Sequence, residues 1–163
     1  SALPHGKASD KLLEKGDFLI LDFGAVYKGY HSDITRTVVL GKATKKQKEI
    51  YGLVLKAQLA GLEAVAANKA CKDIDNAARE IIRKAGHGKH FGHGLGHCVG
   101  LKIHESPSLS PNNMSLLEPN MVVTIEPGIY ISNWGGVRIE DLVIVTKKGC
   151  SILTQSEKHL LEL

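Results

Sequence analysis

Aromatic side chains are scarce, with Phe, Tyr and Trp together making only 5% of the residues. Surfaces that grip single-stranded nucleic acid stack bases on aromatics set among basic residues. Here the lysines are scattered apart from Lys45, Lys46 and Lys48, and the net charge is only +4. No nucleic-acid partner is expected. Long apolar runs are missing too. FLILDFGAV is broken by Asp22 and falls far short of the ~20 residues of a membrane span, so no membrane partner is expected. The opening SALPHGKASD reads as neither a signal nor a transit peptide. Cysteine is limited to Cys71, Cys98 and Cys150, with no C-x-x-C pair. An odd, sparse set suits a reducing compartment better than a disulfide framework, and a cytoplasmic location is the expectation.

What is present fits an ordinary globular domain. The chain has 163 residues, 43% apolar and 23% charged, enough for one domain over 1–163 with a core of its own. Phe18–Val26 and Tyr30–Leu40 read as two strands around a Lys28-Gly29 turn. Thr44 and Gln47 form a capping box that opens a helix to about Asn68, with Ile50, Val54, Leu55, Leu59 and Leu62 at helical spacing. A second helix is predicted from Lys72 to Ala85, stopped by Gly86. Six glycines from Gly86 to Gly100 exclude regular helix there, and Pro107, Pro111 and Pro119 mark a loop. Strands Val122–Ile131 and Gly136–Thr146 follow around a turn at Asn133-Trp134-Gly135. The tail from Ser151 is expected to add a short strand and a frayed end. Two hairpins, each carrying two carboxylates, thus flank a helix pair, which suggests two pseudo-symmetric halves.

Five side chains read as one metal site: Asp22, Asp33, His97, Glu126 and Glu140. Asp22 and Asp33 are expected nearly level across the first hairpin, and Glu126 and Glu140 across the second. Facing Cβ atoms in an antiparallel pair are roughly 5 Å apart. Four carboxylates in one small volume repel unless cations neutralise them, and two ions about 3.5–4 Å apart form the usual dinuclear hydrolytic centre. A lone Asp near a turn is more often a local hydrogen-bond acceptor. For Asp22 and Glu126, which interrupt apolar strands, the alternative is a buried ion pair with Arg36 or Arg138. His87, His90, His93, His97 and His104 fall within 18 residues. His93 and His97 have the spacing of a helical zinc motif, but Gly94 and Gly96 rule that motif out. His87 and His90 read as loop residues, and Cys98 as a small packed residue.

The strings HSDITRT, HGLGHCVGLKIHESP, TIEPGIY and GVRIED, in that order, resemble the pita-bread metallopeptidases, and specifically their Xaa-Pro branch of aminopeptidase P and prolidase. The histidine of GHGLGH ahead of His97 favours that branch over the methionine aminopeptidases. The resemblance spans essentially the whole chain. It implies an α+β fold: a curved antiparallel sheet with helices on its outer face, in two pseudo-symmetric halves. It also implies two divalent ions, manganese in the first place with cobalt or zinc as alternatives, held by Asp22, Asp33, His97, Glu126 and Glu140. Glu126 would also shuttle the proton. His104 would bind substrate and stabilise the tetrahedral intermediate, while His93 and Arg138 would lie near the substrate. His5 sits where the family places a further active-site histidine, or else is an exposed terminal residue.

The implied activity is hydrolysis of the bond between an N-terminal residue and proline, by water that the metal pair makes acidic. Short peptides with proline second would be the substrates, and the full-length protein would be a homodimer. Methionine aminopeptidase-like activity, a non-catalytic peptide-binding module on the same fold, and a metal-independent hydrolase like creatinase are the alternatives. The residues do not separate dipeptidase from aminopeptidase P. Family members carry an amino-terminal domain and begin their catalytic domain before the position of Ser1, so the chain is expected to be a fragment.

Overall fold

The computed structural model describes residues 1–6 and 8–163. Phe18–Phe23 (β1) pairs antiparallel with Ile34–Val39 (β4), and between them Val26–Tyr27 (β2) pairs with Tyr30–His31 (β3). Lys28 and Gly29 both take positive φ, 50° and 86°, the sign pattern of the two-residue turn that matches strand twist. The two long strands expected here are therefore interrupted. At the break the Ala25 amide donates to the Ser32 hydroxyl (3.0 Å) and the Ser32 amide to the Ala25 carbonyl (2.9 Å). The register places Thr35 opposite Asp22. Asp33 lies just past the end of that ladder, so the two aspartates are diagonal rather than level.

Lys45–Ala64 (α1) opens with the expected capping box, Gln47 N donating to Thr44 Oγ1 (3.3 Å) and Thr44 N to Gln47 Oε1 (2.9 Å). It stops short of Asn68 because Val65 is already extended and Asn68 adopts φ 64°. No glycine or proline marks that end in the sequence. Cys71–Lys84 (α2) begins and ends within a residue of its expected bounds. A 3-10 turn, Gly88–His90, follows.

The remaining strands are Gly96–Cys98 (β5), Glu105–Leu109 (β6), Val122–Ile125 (β7), Gly128–Ile131 (β8), Gly135–Arg138 (β9), Asp141–Thr146 (β10) and Gly149–Ile152 (β11). Five of them form an antiparallel sheet in the order β11-β10-β7-β5-β6, and β8 pairs with β9. Pro107, expected in a loop, lies in β6, an edge strand where the missing N–H costs no ladder bond.

The second hairpin is also split, at Glu126-Pro127 and Ile139-Glu140. The Glu126 amide donates to the Leu95 carbonyl (2.8 Å), the Glu140 amide to the Thr35 carbonyl (3.1 Å), and Pro127 has no amide to give. Register is preserved across the gap, Ile125 facing Asp141 before it and Gly128 facing Arg138 after it. Glu126 and Glu140 therefore stand opposite each other, as expected.

Ile50, Val54 and Ala57 of α1 and Ile74, Ala78 and Ile82 of α2 share one core with Leu95, Val123, Ile125, Val137 and Ile139. Each fully buried aliphatic side chain contributes roughly 1.5–3 kcal/mol relative to exposure, so the helices back the strands firmly. Strand alternation then turns Arg138 and Glu140 away from Val137 and Ile139. The tail does not fray as expected. Val39 N donates to Leu161 O (3.0 Å) and Leu163 N to Val39 O (2.9 Å), seating the last residues beside β4. Among the described residues β1 pairs with β4 alone, and Leu21, Phe23, Val26, Tyr27 and Tyr30 stay exposed. No described helix is long and apolar enough to cross a membrane.

Candidate metal centre

Asp33, His97 and Glu140 converge, one ligand atom of each lying within 4.8 Å of the others. They come from the entry to β4, the middle of β5 and the break before β10. His97 reaches the group because β5 closes onto β7 at Gly96, where a Cβ would stand 1.9 Å from the Thr124 carbonyl oxygen. Its Nδ1 lies 3.0 Å from the Cys98 carbonyl. A carbonyl only accepts, so Nδ1 carries the hydrogen and Nε2 faces inward. Nε2 lies 3.2 Å from Glu126 Oε1 and 3.7 Å from Asp33 Oδ2. Thr124 Oγ1 donates to Glu126 Oε1 (3.0 Å) and Thr35 Oγ1 to Glu140 Oε2 (2.6 Å), fixing both carboxylates.

The electrostatics are those of crowded acids. Burial, then the charges of Glu126 and Asp33, push the Glu140 carboxyl up to about 9. Burial, then Glu126 and Asp22, also raise Asp33. Burial would raise Glu126 too, but the hydrogen bond and charge of His97, with His93 and Arg138 near, hold it below its ordinary value. Burial would lower His97, yet Glu126, the Cys98 carbonyl and Asp33 lift it above 6.5. Nε2, aimed at two carboxylates, must hold either a proton, which makes the ring cationic, or a metal cation. Hard oxygen donors with one imidazole suit a divalent ion, so the donor set fits the metal that the sequence resemblance implies.

The other candidates surround this group. Asp22 is half-exposed and ion-paired to Arg138 Nη2, outside the tight trio. Arg138 is nearly buried and donates to Thr35 Oγ1 (3.1 Å), the Tyr130 hydroxyl (2.9 Å) and the Pro4 carbonyl (2.9 Å), with Nε 3.9 Å from Glu126. Asp22 thus pairs with Arg138 at a half-exposed position rather than in a buried ion pair, whereas Arg36 pairs with Asp141. His93 Nδ1 donates to the Gly94 carbonyl (2.8 Å), leaving Nε2 to accept from the Tyr130 hydroxyl (3.0 Å). Burial lowers His93 and pushes Tyr130 up to about 12, which keeps that relay neutral. His104 is exposed, its ring centroid 4.4 Å from that of His97. His5 is exposed beside Pro4. His87 and His90 pair with each other through Nδ1 atoms 3.1 Å apart. Cys98 is buried, which pushes its thiol up to about 11, as befits a packed residue.

Thr35, Thr124 and Tyr130 escape a reading restricted to carboxylates, histidines and arginines. Their signal is the two-residue period: Asp33, Thr35 and Thr37 share one strand face, and Thr124, Glu126 and Tyr130 another.

The profile of Metallopeptidase family M24 matches residues 1–147. The chain belongs to that family. It is 53% identical over 161 residues to the Xaa-Pro dipeptidase of Pyrococcus furiosus, covering 99% of this chain and 46% of the relative. Among solved structures, an Xaa-Pro dipeptidase from Bacillus anthracis superposes with TM-score 0.98 at 52% identity, covering 99% of this chain and 46% of that one. An X-Pro aminopeptidase from Thermotoga maritima does so with TM-score 0.97 at 47% identity, covering all of this chain and 46% of that one. This M24 chain therefore spans about half the length of the relatives it matches. Its fold is the expected α+β pita-bread architecture of the Xaa-Pro branch.

Proposed function

We propose that the protein containing this M24 chain hydrolyses the bond between an N-terminal residue and a following proline, as an Xaa-Pro dipeptidase or aminopeptidase P. The observation that carries the proposal is the convergence of Asp33, His97 and Glu140 in a chain half-identical to named Xaa-Pro dipeptidases. Asp22, Asp33, His97, Glu126 and Glu140 would hold two divalent ions, manganese first, with cobalt or zinc as alternatives. When bound, such ions supply a Lewis acid that polarises the scissile carbonyl and acidifies water.

The chain's own groups do the rest. Glu126, anchored by Thr124 and facing His97, takes the proton that the attacking water gives up and passes it to the departing proline nitrogen. That nitrogen carries no hydrogen in the peptide, so the leaving group needs a positioned acid. His104, exposed at the rim, reaches substrate and supports charge developing on the carbonyl oxygen. Arg138 holds Asp22, Thr35 and the Pro4 carbonyl together, keeping the wall of the site and the neighbouring His5 in place. His93 steadies Tyr130 beside that wall. A reducing, cytoplasmic setting and a homodimeric whole protein complete the proposal.

The test uses the intact protein loaded with manganese, comparing a dipeptide Xaa-Pro with a tripeptide Xaa-Pro-Xaa. Release of proline from the first identifies a dipeptidase, and release of the first residue from the second an aminopeptidase P. No release from either, with manganese, cobalt or zinc, refutes the proposal.

A further inference from the structure

We infer that Asp141, acting through Arg36, is a positioning residue for the metal centre, and that Ser156–Lys158 closes this clamp from outside. The inference rests on the metal centre proposed above. Asp141 is wholly buried, yet touches none of the candidate ligands' carboxylates. Its Oδ1 accepts from Arg36 Nη2 (2.8 Å), and its Oδ2 from Gln58 Nε2 (2.8 Å) and Lys158 Nζ (2.7 Å).

Arg36, also buried, spends every donor it has. Nη1 donates to the Thr35 carbonyl (2.9 Å) and the Glu140 carbonyl (2.5 Å), Nε to the Glu157 carbonyl (2.9 Å), and the second Nη2 hydrogen to the Ser156 carbonyl (2.9 Å). One guanidinium thus ties together β4, the break that carries Glu140 and the tail. Glu140 is held at three points: its amide by the Thr35 carbonyl, its carbonyl by Arg36, and its carboxylate by Thr35 Oγ1. Asp33 and Glu140, whose approach forms the trio, come from the two segments that this clamp joins.

A buried ion network is by itself weak evidence of stabilisation, because desolvation offsets the attraction. Its geometric consequence is better defined. Groups that orient metal ligands typically govern metal affinity by about 10–100-fold. The outer jaw, Ser156 to Lys158, lies beyond the residues 1–147 that the family profile matches, so the tail belongs to the site's support although it carries no ligand.

The test measures Co²⁺ affinity by calorimetry in the intact protein, alongside thermal stability, for wild type, Asp141→Asn, Arg36→Lys and Lys158→Met. Asn keeps the shape of Asp141 but cannot accept from three cationic or amide donors. Lys keeps the charge of Arg36 but loses the fork. The expected result is Co²⁺ binding weakened about 10–100-fold in Asp141→Asn and Arg36→Lys, with a smaller loss in the same direction for Lys158→Met. Lys158 lies nearest the surface of the three, so its variant answers the question even where the buried ones do not fold. Lower melting temperature with unchanged Co²⁺ affinity makes the network structural only and overturns the inference. Wild-type protein that binds no divalent ion overturns the metal centre as well, which separates the two failures.

Discussion

Loading the proposed centre with metal at pH 7 is expected to expel a proton from Glu140. Its carboxyl, pushed to about 9 by burial and by Glu126 and Asp33, is about 99% protonated at neutral pH. A ligand carboxylate must be ionised, so binding releases about one proton per chain from this residue. His97, held above 6.5 by its acidic neighbours, adds to the release at the lower end of the range. Calorimetry in buffers of different ionisation enthalpy reads the number directly. Between pH 7 and 9 apparent affinity should rise about tenfold per pH unit, then level off.

The metal-free protein shows the same linkage in its stability. An acid whose folded titration lies above its unfolded value near 4.5 favours the fold fully below that value. The contribution is lost as pH climbs towards 9, at most about 1.4 kcal/mol per pH unit. The melting temperature of the metal-free form should therefore fall across that window, and added metal should restore it. Glu140→Gln should lower the proton release by about one. Zero release at pH 7, or release that persists unchanged in Glu140→Gln, refutes the electrostatic account of the site.

Three other perturbations probe separate parts of the site. Gly96→Ala places a Cβ 1.9 Å from the Thr124 carbonyl; a cost of about 3 kcal/mol or more is expected in urea melts, and a neutral result contradicts the close approach of β5 to β7. Thr35→Val removes the 2.6 Å bond to Glu140 Oε2; divalent-ion affinity should drop about 10–100-fold, and unchanged calorimetric titrations rule Thr35 out as an anchor. His104→Ala alters an exposed ring, so stability should stay within about 0.5 kcal/mol while kcat falls about 10²–10³-fold; normal turnover removes His104 from the chemistry.

Much of this arrangement is legible in the residues themselves. The capping box at Thr44 follows from local rules and holds, and of the apolar positions read in α1 Ile50, Val54 and Leu62 are buried, Leu55 is partly buried and Leu59 faces solvent. Glu126 and Glu140 face each other because the residue count around the Asn133 turn sets the register, which a sequence displays directly. The first hairpin is harder to read. Its interruption depends on the Ser32 hydroxyl competing for the Ala25 amide, a side-chain contact that alternation does not reveal. The same holds for the split at Glu126, where the amide leaves its hairpin for Leu95. Asp141 looks like an ordinary strand-entry aspartate in GVRIEDL, and only the tertiary approach of Arg36, Gln58 and Lys158 makes it a hub. Asp22 reads as costly within an apolar strand, but β1 is open on that side, and half-exposure with Arg138 as partner makes its charge tolerable.

The trio sits on a seam, since Asp33 leads into the β1-β4 pair and His97 belongs to the five-stranded sheet, and the two are separately hydrogen-bonded. A cation lodged there acts as a rivet between two plates that otherwise meet through few backbone bonds. Hydrogen exchange at the Glu140 amide, which crosses the seam to the Thr35 carbonyl of β4, should therefore slow on metal loading more than exchange within either plate.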